Sequence, residues 1–142
     1  MNVAEIINGC DRKFQSLGLE ALTAKERLVA LASWANFEVE LGGVGAFFHN
    51  SAGALSREVV DALIELGAME QAAAINRGRE LLRSRTWQQL AAASEFERLT
   101  DKFLASMPGL FERVATFVEL HADELQITSQ QGPPGDAQKA RG

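Results

Sequence analysis

The chain has 142 residues, 46% of them hydrophobic, and a formal net charge of −5. That length supports one ordinary core, and the acidic balance disfavours unaided binding to nucleic acid. Cys10 is the sole cysteine, so an intrachain disulfide is excluded and a reducing compartment is expected. Residues 1–5 show no basic segment leading into a long apolar run, so no secretory signal is expected. No stretch approaches the roughly 20 apolar residues of a membrane span. A cytoplasmic protein without membrane contact is the expectation.

In chain order, Val3, Ile6, Ile7, Cys10 and Phe14 recur at helical spacing, which predicts an amphipathic helix over 3–16. Leu19, Ala21 and Leu22 form a short connector tucked under the core. Thr23-Ala24-Lys25-Glu26 is a capping box, hydroxyl and carboxylate each satisfying the other's backbone N–H. The helix it opens is predicted to stop near Leu41. Its apolar residues Leu28, Val29, Leu31, Ala32, Trp34, Ala35, Phe37 and Val39 cover most of the circumference, as in a central, buried helix. Gly42-Gly43 then ends it, because glycine costs helix interiors about 1 kcal/mol and accepts positive φ. Val44 to Phe48 are too few for an independent helix. They are predicted to make one helical turn pinned by Phe47 and Phe48 in the core. Asn50, Ser51 and Gly53 supply a turn that caps the next helix.

Residues 54–66 read as a helix with Leu55, Val59, Val60, Leu63 and Ile64 inside and Glu58, Asp61 and Glu65 outside. Gly67 is its stop. The helix over 69–83 follows after a short link, as in an antiparallel pair, with Ala72, Ala73, Ile75 and Leu82 as contacts. Thr86-Trp87-Gln88-Gln89 resembles a second capping box. The helix beyond it carries Leu90, Ala91, Phe96, Leu99, Phe103 and Leu104, with a break near Ala93-Ser94. Pro108 suits the first turn of a last helix over 108–124, burying Leu110, Phe111, Val114, Phe117, Val118 and Leu120. From Gln126 the chain has too little apolar surface to offset ordering. There is no β alternation and no hairpin signal. The expected fold is therefore all-α: a compact bundle of about six helices with a short helical turn at a Gly-Gly corner. It forms a single domain over 1–125, followed by a disordered tail over 126–142.

Little in the residues points to catalysis. His49 and His121 are far apart in sequence and lack a zinc-binding setting. Ser51 lacks the glycines of a nucleophile elbow. Gly42-Gly43-Val44-Gly45 lacks the preceding strand and following Lys-Ser/Thr of a phosphate loop. No metal and no cofactor are expected. His49 is placed at the junction and His121 at a helix C-terminus, where a cation is favoured. Glu38 shares a face with Leu28, Leu31 and Ala35. It is either a structural carboxylate, satisfied by N–H groups freed at the glycines or by Asn50, or a tuned acid in a pocket.

The charges are more informative. Glu58, Asp61 and Glu65 share one face, and Glu112, Glu119 and Asp123 share another on the last helix. At a rise of 1.5 Å per residue the first trio spans about 10 Å, so such rows approximate a track of phosphates about 3.4 Å apart. The competing reading is an ordinary charged exterior. Arg77, Arg79, Arg83 and Arg85 outnumber Glu70 and Glu80 in their region, giving a basic patch that interrupts a mimic or serves as a separate contact or oligomer surface, a homodimer included.

Glu38-Val39-Glu40-Leu41-Gly42-Gly43 and Phe47-Phe48-His49-Asn50-Ser51-Ala52-Gly53 together resemble a bacterial domain of unknown function typified by a DNA-mimic protein. Glu65-Leu66-Gly67-Ala68 and Leu99-Thr100-Asp101-Lys102-Phe103 extend the resemblance, which covers roughly Leu22 to Glu124. Glu40-Leu41 stands where the family has Asn-Asn. The resemblance implies an all-helical fold and, for one branch, binding to a DNA-binding regulator through acidic surface.

The function expected is thus non-enzymatic protein binding through the acidic helix faces, with a DNA-binding protein as the candidate partner and no direct contact with nucleic acid. The motif residues Glu38, Gly42, Gly43, Phe47, Phe48, His49, Asn50, Ser51 and Gly53 are then structural. The alternatives are a small-molecule or enzymatic pocket built from Glu38, His49 and Asn50, and a toxin-neutralising, immunity-type protein.

Overall fold

The computed structural model describes residues 2–49, 54–84, 89 and 94–125. Among these residues every regular element is helical: α1 (Val3–Leu17), a 3-10 turn (Leu19–Ala21), α2 (Ala24–His49), α3 (Ser56–Glu65), α4 (Met69–Ser84), α5 (Glu95–Ala105) and α6 (Met107–Leu120). A last helical turn, 122–125, brings Leu125 back into the core. The all-α bundle expected from periodicity is the fold observed. The turn at Asn50, Ser51, Ala52 and Gly53, most of the second capping box, Leu90, Ala91 and the tail from Gln126 lie outside the described residues.

α2 is the axis of the bundle. It touches α1, α3, α4, α5 and α6 and buries Leu28, Val29, Ala30, Leu31, Ala32, Ala35 and Val39 on several sides. Around it α3 packs on α4, α4 on α5, and α1 on α6. A row of rings runs through the core: Phe14 of α1, Trp34, Phe47 and Phe48 of α2, and Phe96 of α5. Neighbouring centroids lie 5.3, 6.3, 5.1 and 6.0 Å apart, the range in which edge and offset contacts are favourable.

The entrance to α2 is the predicted capping box. Thr23 N–H donates to Glu26 Oε1 at 2.8 Å, and Glu26 N–H donates to Thr23 Oγ1 at 3.2 Å. Glu26 is fully buried, and the Lys13 ammonium of α1 reaches it at 3.2 Å. A buried carboxylate needs this combination of charge partner and N–H donor. Arg27 locks the preceding 3-10 turn by donating to the Leu19 carbonyl at 3.1 Å.

The corner within α2 falls slightly later than expected. The helix passes Leu41 and Gly42 and breaks at Gly43, whose φ of 85° and ψ of 175° are non-helical. One further helical turn carries Val44 and Phe47 into the core, both fully buried. Phe48 is half-buried against Gly78 of α4. A Cβ added at Gly78 would lie 2.4 Å from Phe48 Cε2, so this mid-helix glycine exists to admit a ring. Gly78→Ala is expected to destabilise the protein by about 1 kcal/mol in urea unfolding. Overpacking at about 1–3 kcal/mol outweighs the roughly 1 kcal/mol that alanine contributes to a helix interior.

α3 ends in a Schellman cap. Gly67 has φ of 80°, its N–H donates to the Ile64 carbonyl at 2.9 Å, and Ala68 N–H donates to the Leu63 carbonyl at 2.8 Å. That is the paired bonding by which a positive-φ glycine satisfies the last carbonyls of a helix.

Four large apolar residues assigned to the interior are exposed instead, Phe37, Ile64, Phe111 and Leu120, at 58%, 47%, 52% and 74%, as is Ala21 of the connector. The cause is packing on one side only. Val59, Val60, Ala62 and Leu63 already fill the inner face of α3, and Leu110, Val114 and Val118 that of α6. Ile64 and Phe111 fall beyond those stripes, whereas Phe37 and Leu120 edge open grooves. Ala73 is likewise exposed, and Leu82 half-buried.

Candidate interaction surface

The same periodicity that buries Val59, Val60 and Leu63 turns Glu58, Asp61 and Glu65 outward, and all three are exposed. On the other side of the chain's length, Leu110, Val114 and Val118 fix the roll of α6, and Glu112 and Glu119 project into solvent. Asp123, in the turn beyond α6, is exposed as well. Among the described residues none of these six carboxylates forms a salt bridge.

The two trios meet. Glu65, the last residue of α3, and Glu112 of α6 line one groove of about 480 Å³ together with Leu66, Gly109, Thr116, Phe117 and Leu120. One cation enters it: a Cβ at Gly67 would lie 2.7 Å from Arg113 Nη1, so the Arg113 guanidinium lies against the α3 cap. The glycine at this turn therefore serves two purposes, a positive φ and room for the arginine.

Beyond the groove, His121 follows α6 with its N–H donating to the Phe117 carbonyl at 3.1 Å and its ring 4.6 Å from that of Phe117. Glu124 pairs with Lys25 at 2.9 Å. The hydrogen bond and charge of Lys25 hold the Glu124 carboxyl below its ordinary value of 4.5. A depressed carboxylate stabilises the fold above its unfolded pKa and loses that contribution as pH falls through the folded one. Glu124→Gln is therefore expected to lower the melting temperature slightly at neutral pH and low salt. The difference from the parent should vanish in acid or at high salt, since the pair is exposed and screened.

The basic region of α4 is arranged separately. Arg77 pairs with Glu80 at 3.1 Å, and Arg79 donates to Asn76 Oδ1 at 3.4 Å. Arg77 joins Arg98 and Lys102 of α5 along the α4–α5 cleft, which shares no lining residue with the Glu65–Glu112 groove. Arg83 is exposed, and Arg85 lies outside the described residues.

The motif residues sit at the corner rather than at either acidic face. Val44 N–H, set free by the break at Gly43, donates to Thr100 Oγ1 at 2.9 Å, and Thr100 donates onward to the Phe96 carbonyl at 2.8 Å. That N–H is thus satisfied by α5, not by Glu38. Glu38 is half-buried and lines a groove between α1 and α2, whereas His49 is exposed at the end of α2 and does not line that groove. Asn50 lies outside the described residues. Among the described residues, no three of His, Cys, Asp and Glu converge as a metal set, and no helix is long and apolar enough to cross a membrane.

A family model described as DMP19-like protein matches residues 20–121. The chain belongs to that family. No curated protein and no solved structure matches it. DMP19 is a DNA-mimic protein family, and the matched segment takes in α2 to α6 while leaving α1 outside the matched residues. Within it, two of the four stretches on which the resemblance rests, Glu38–Gly43 and Leu99–Phe103, are tied together by the bond from Val44, the residue after Gly43, to Thr100. Thr100 was the residue with the weakest signal of its own. Only its place in the late Leu-Thr-Asp-Lys-Phe stretch could have singled it out.

Proposed function

We propose that this DMP19-like chain is a non-enzymatic, cytoplasmic protein that binds a DNA-binding protein. In this reading residues 1–125 form one domain, and the exposed carboxylates of Glu58, Asp61, Glu65, Glu112, Glu119 and Asp123 stand where the partner would meet phosphates. The observation that carries the proposal is that Glu65 and Glu112, one from each helical row, line the same groove. Family membership supports the choice of a DNA-binding partner. The absence of cationic partners for the six carboxylates among the described residues supports their availability. Complementary potential of this kind acts mainly on encounter rate and partner choice. Arg113 and the apolar lining residues Phe117 and Leu120 give the groove a feature that DNA lacks, and so a means of choosing one DNA-binding protein among many.

Release from DNA provides the test. Cellular proteins are bound to immobilised duplex DNA at low salt, and the purified chain is added as eluent. A discrete protein should be released by the parent chain and not by one carrying Glu58→Lys, Asp61→Lys and Glu65→Lys. Release of nothing, or equal release by both, would contradict the proposal.

A further inference from the structure

A second groove, about 670 Å³, lies between α1 and α2. Its walls are the rings of Phe14, Trp34 and Phe37, and its charge comes from Asp11 and Glu38. No lysine or arginine lines it among the described residues. Phe14 and Trp34 stand edge to face with centroids 5.3 Å apart, so the aromatic wall is fixed by core packing before anything binds. Phe37, 58% exposed, leaves a ring in water beside two carboxylates. Among the described lining residues, Ile7, Asn8, Asp11, Phe14 and Gln15 belong to α1, outside the segment matched by the family.

We propose that this groove takes an arginine side chain from a basic segment of a protein partner. Three properties select that occupant. Aromatic faces attract a cation through the ring quadrupole, and the planar guanidinium stacks on them better than an ammonium does. The Asp11 carboxylate accepts N–H donors from its fork, Glu38 adds negative charge to the same groove, and the exposed Gln15 amide offers a further acceptor. The volume exceeds a single side chain and falls within the range of ligand pockets, leaving room for the residues on either side of the arginine. A quaternary ammonium would satisfy the rings but has no N–H for Asp11. An anionic surface would meet like charge. The inference stands apart from the acidic faces of α3 and α6 and needs none of their residues.

Trp34 reports on the site directly. The chain has two tryptophans, so Trp87→Phe leaves Trp34 as the sole emitter in the full-length protein. Titration with acetyl-tetra-arginine amide at low salt should give a saturable change in Trp34 fluorescence. Asp11→Asn with Glu38→Gln should weaken it at least about tenfold, as expected for loss of a charge-assisted contact and of a second negative charge. Phe37→Ala should weaken it less, and Glu58→Lys with Asp61→Lys and Glu65→Lys should leave the Trp34 response in place. If any variant unfolds by circular dichroism, backbone amide shifts of the unsubstituted chain at Asp11, Trp34, Phe37 and Glu38 answer the same question. No saturable response, a response unaffected by the loss of both carboxylates, disappearance of the response in the α3 triple variant, or equal affinity for choline or tetra-lysine would each overturn the assignment.

Discussion

Replacing Gly43 by alanine is expected to lower the unfolding free energy by about 3 kcal/mol, read as a reduced urea midpoint. The backbone there, φ 85° and ψ 175°, lies in a region open essentially to glycine alone, and holding another residue in it costs about 1–3 kcal/mol. A Cβ at that position would also stand 3.1 Å from Thr100 Oγ1, pressing on the atom that accepts the Val44 N–H. If the hydroxyl swings away, a part-buried N–H loses its acceptor, at about 1–3 kcal/mol. Thr100→Val isolates this second contribution, because it keeps the shape and removes the acceptor. In a double-mutant cycle the two substitutions should be less than additive, since both act on the same bond. Full additivity would mean that the corner and α5 are not coupled.

Reversing the charge of Glu58, Asp61 and Glu65 together is expected to cut affinity for the protein partner by about a hundredfold at low salt. Exposed charges contribute about 0.2–1 kcal/mol each in pairs, and reversal replaces attraction by repulsion, so three positions reach roughly 3 kcal/mol, or about two decades in Kd. The same change at Glu112, Glu119 and Asp123 should have a comparable effect if the acidic edge is continuous across the groove. All six residues are exposed and outside the core cluster, so thermal stability should be nearly unchanged in both variants. Association rates should fall more than dissociation rates rise, as for steering charges.

Local rules carried far in this chain. Helical spacing located α1, α3 and α6 to within a few residues. The Thr23–Glu26 box was readable because its two partners are three residues apart in one helical turn. Gly67 was readable as a stop for the same reason, since its bonds are to Leu63 and Ile64 nearby. What the sequence hid are the partners far along the chain. Lys13 on Glu26 joins two helices, and Thr100 on the Val44 N–H spans 56 positions. Gly78 carried a legible hint, because a glycine in mid-helix asks for a close neighbour, but nothing named Phe48 as that neighbour. The exposed Phe37 and Leu120 were misplaced because apolar character reports affinity for an interior, not whether a neighbouring helix is there to provide one. The acidic residues were readable as two rows, while their meeting through Glu65 and Glu112 depends on how α3 and α6 are set in space.

The most direct measurement is the dissociation constant for the protein released from DNA, taken as a function of salt with and without competing duplex. The account predicts a steep weakening with salt, as for exposed opposite charges, displacement by DNA, and a shallower salt dependence after charge reversal on either α3 or α6. Binding that is indifferent to salt, proceeds alongside DNA, and survives reversal on both helices would contradict it.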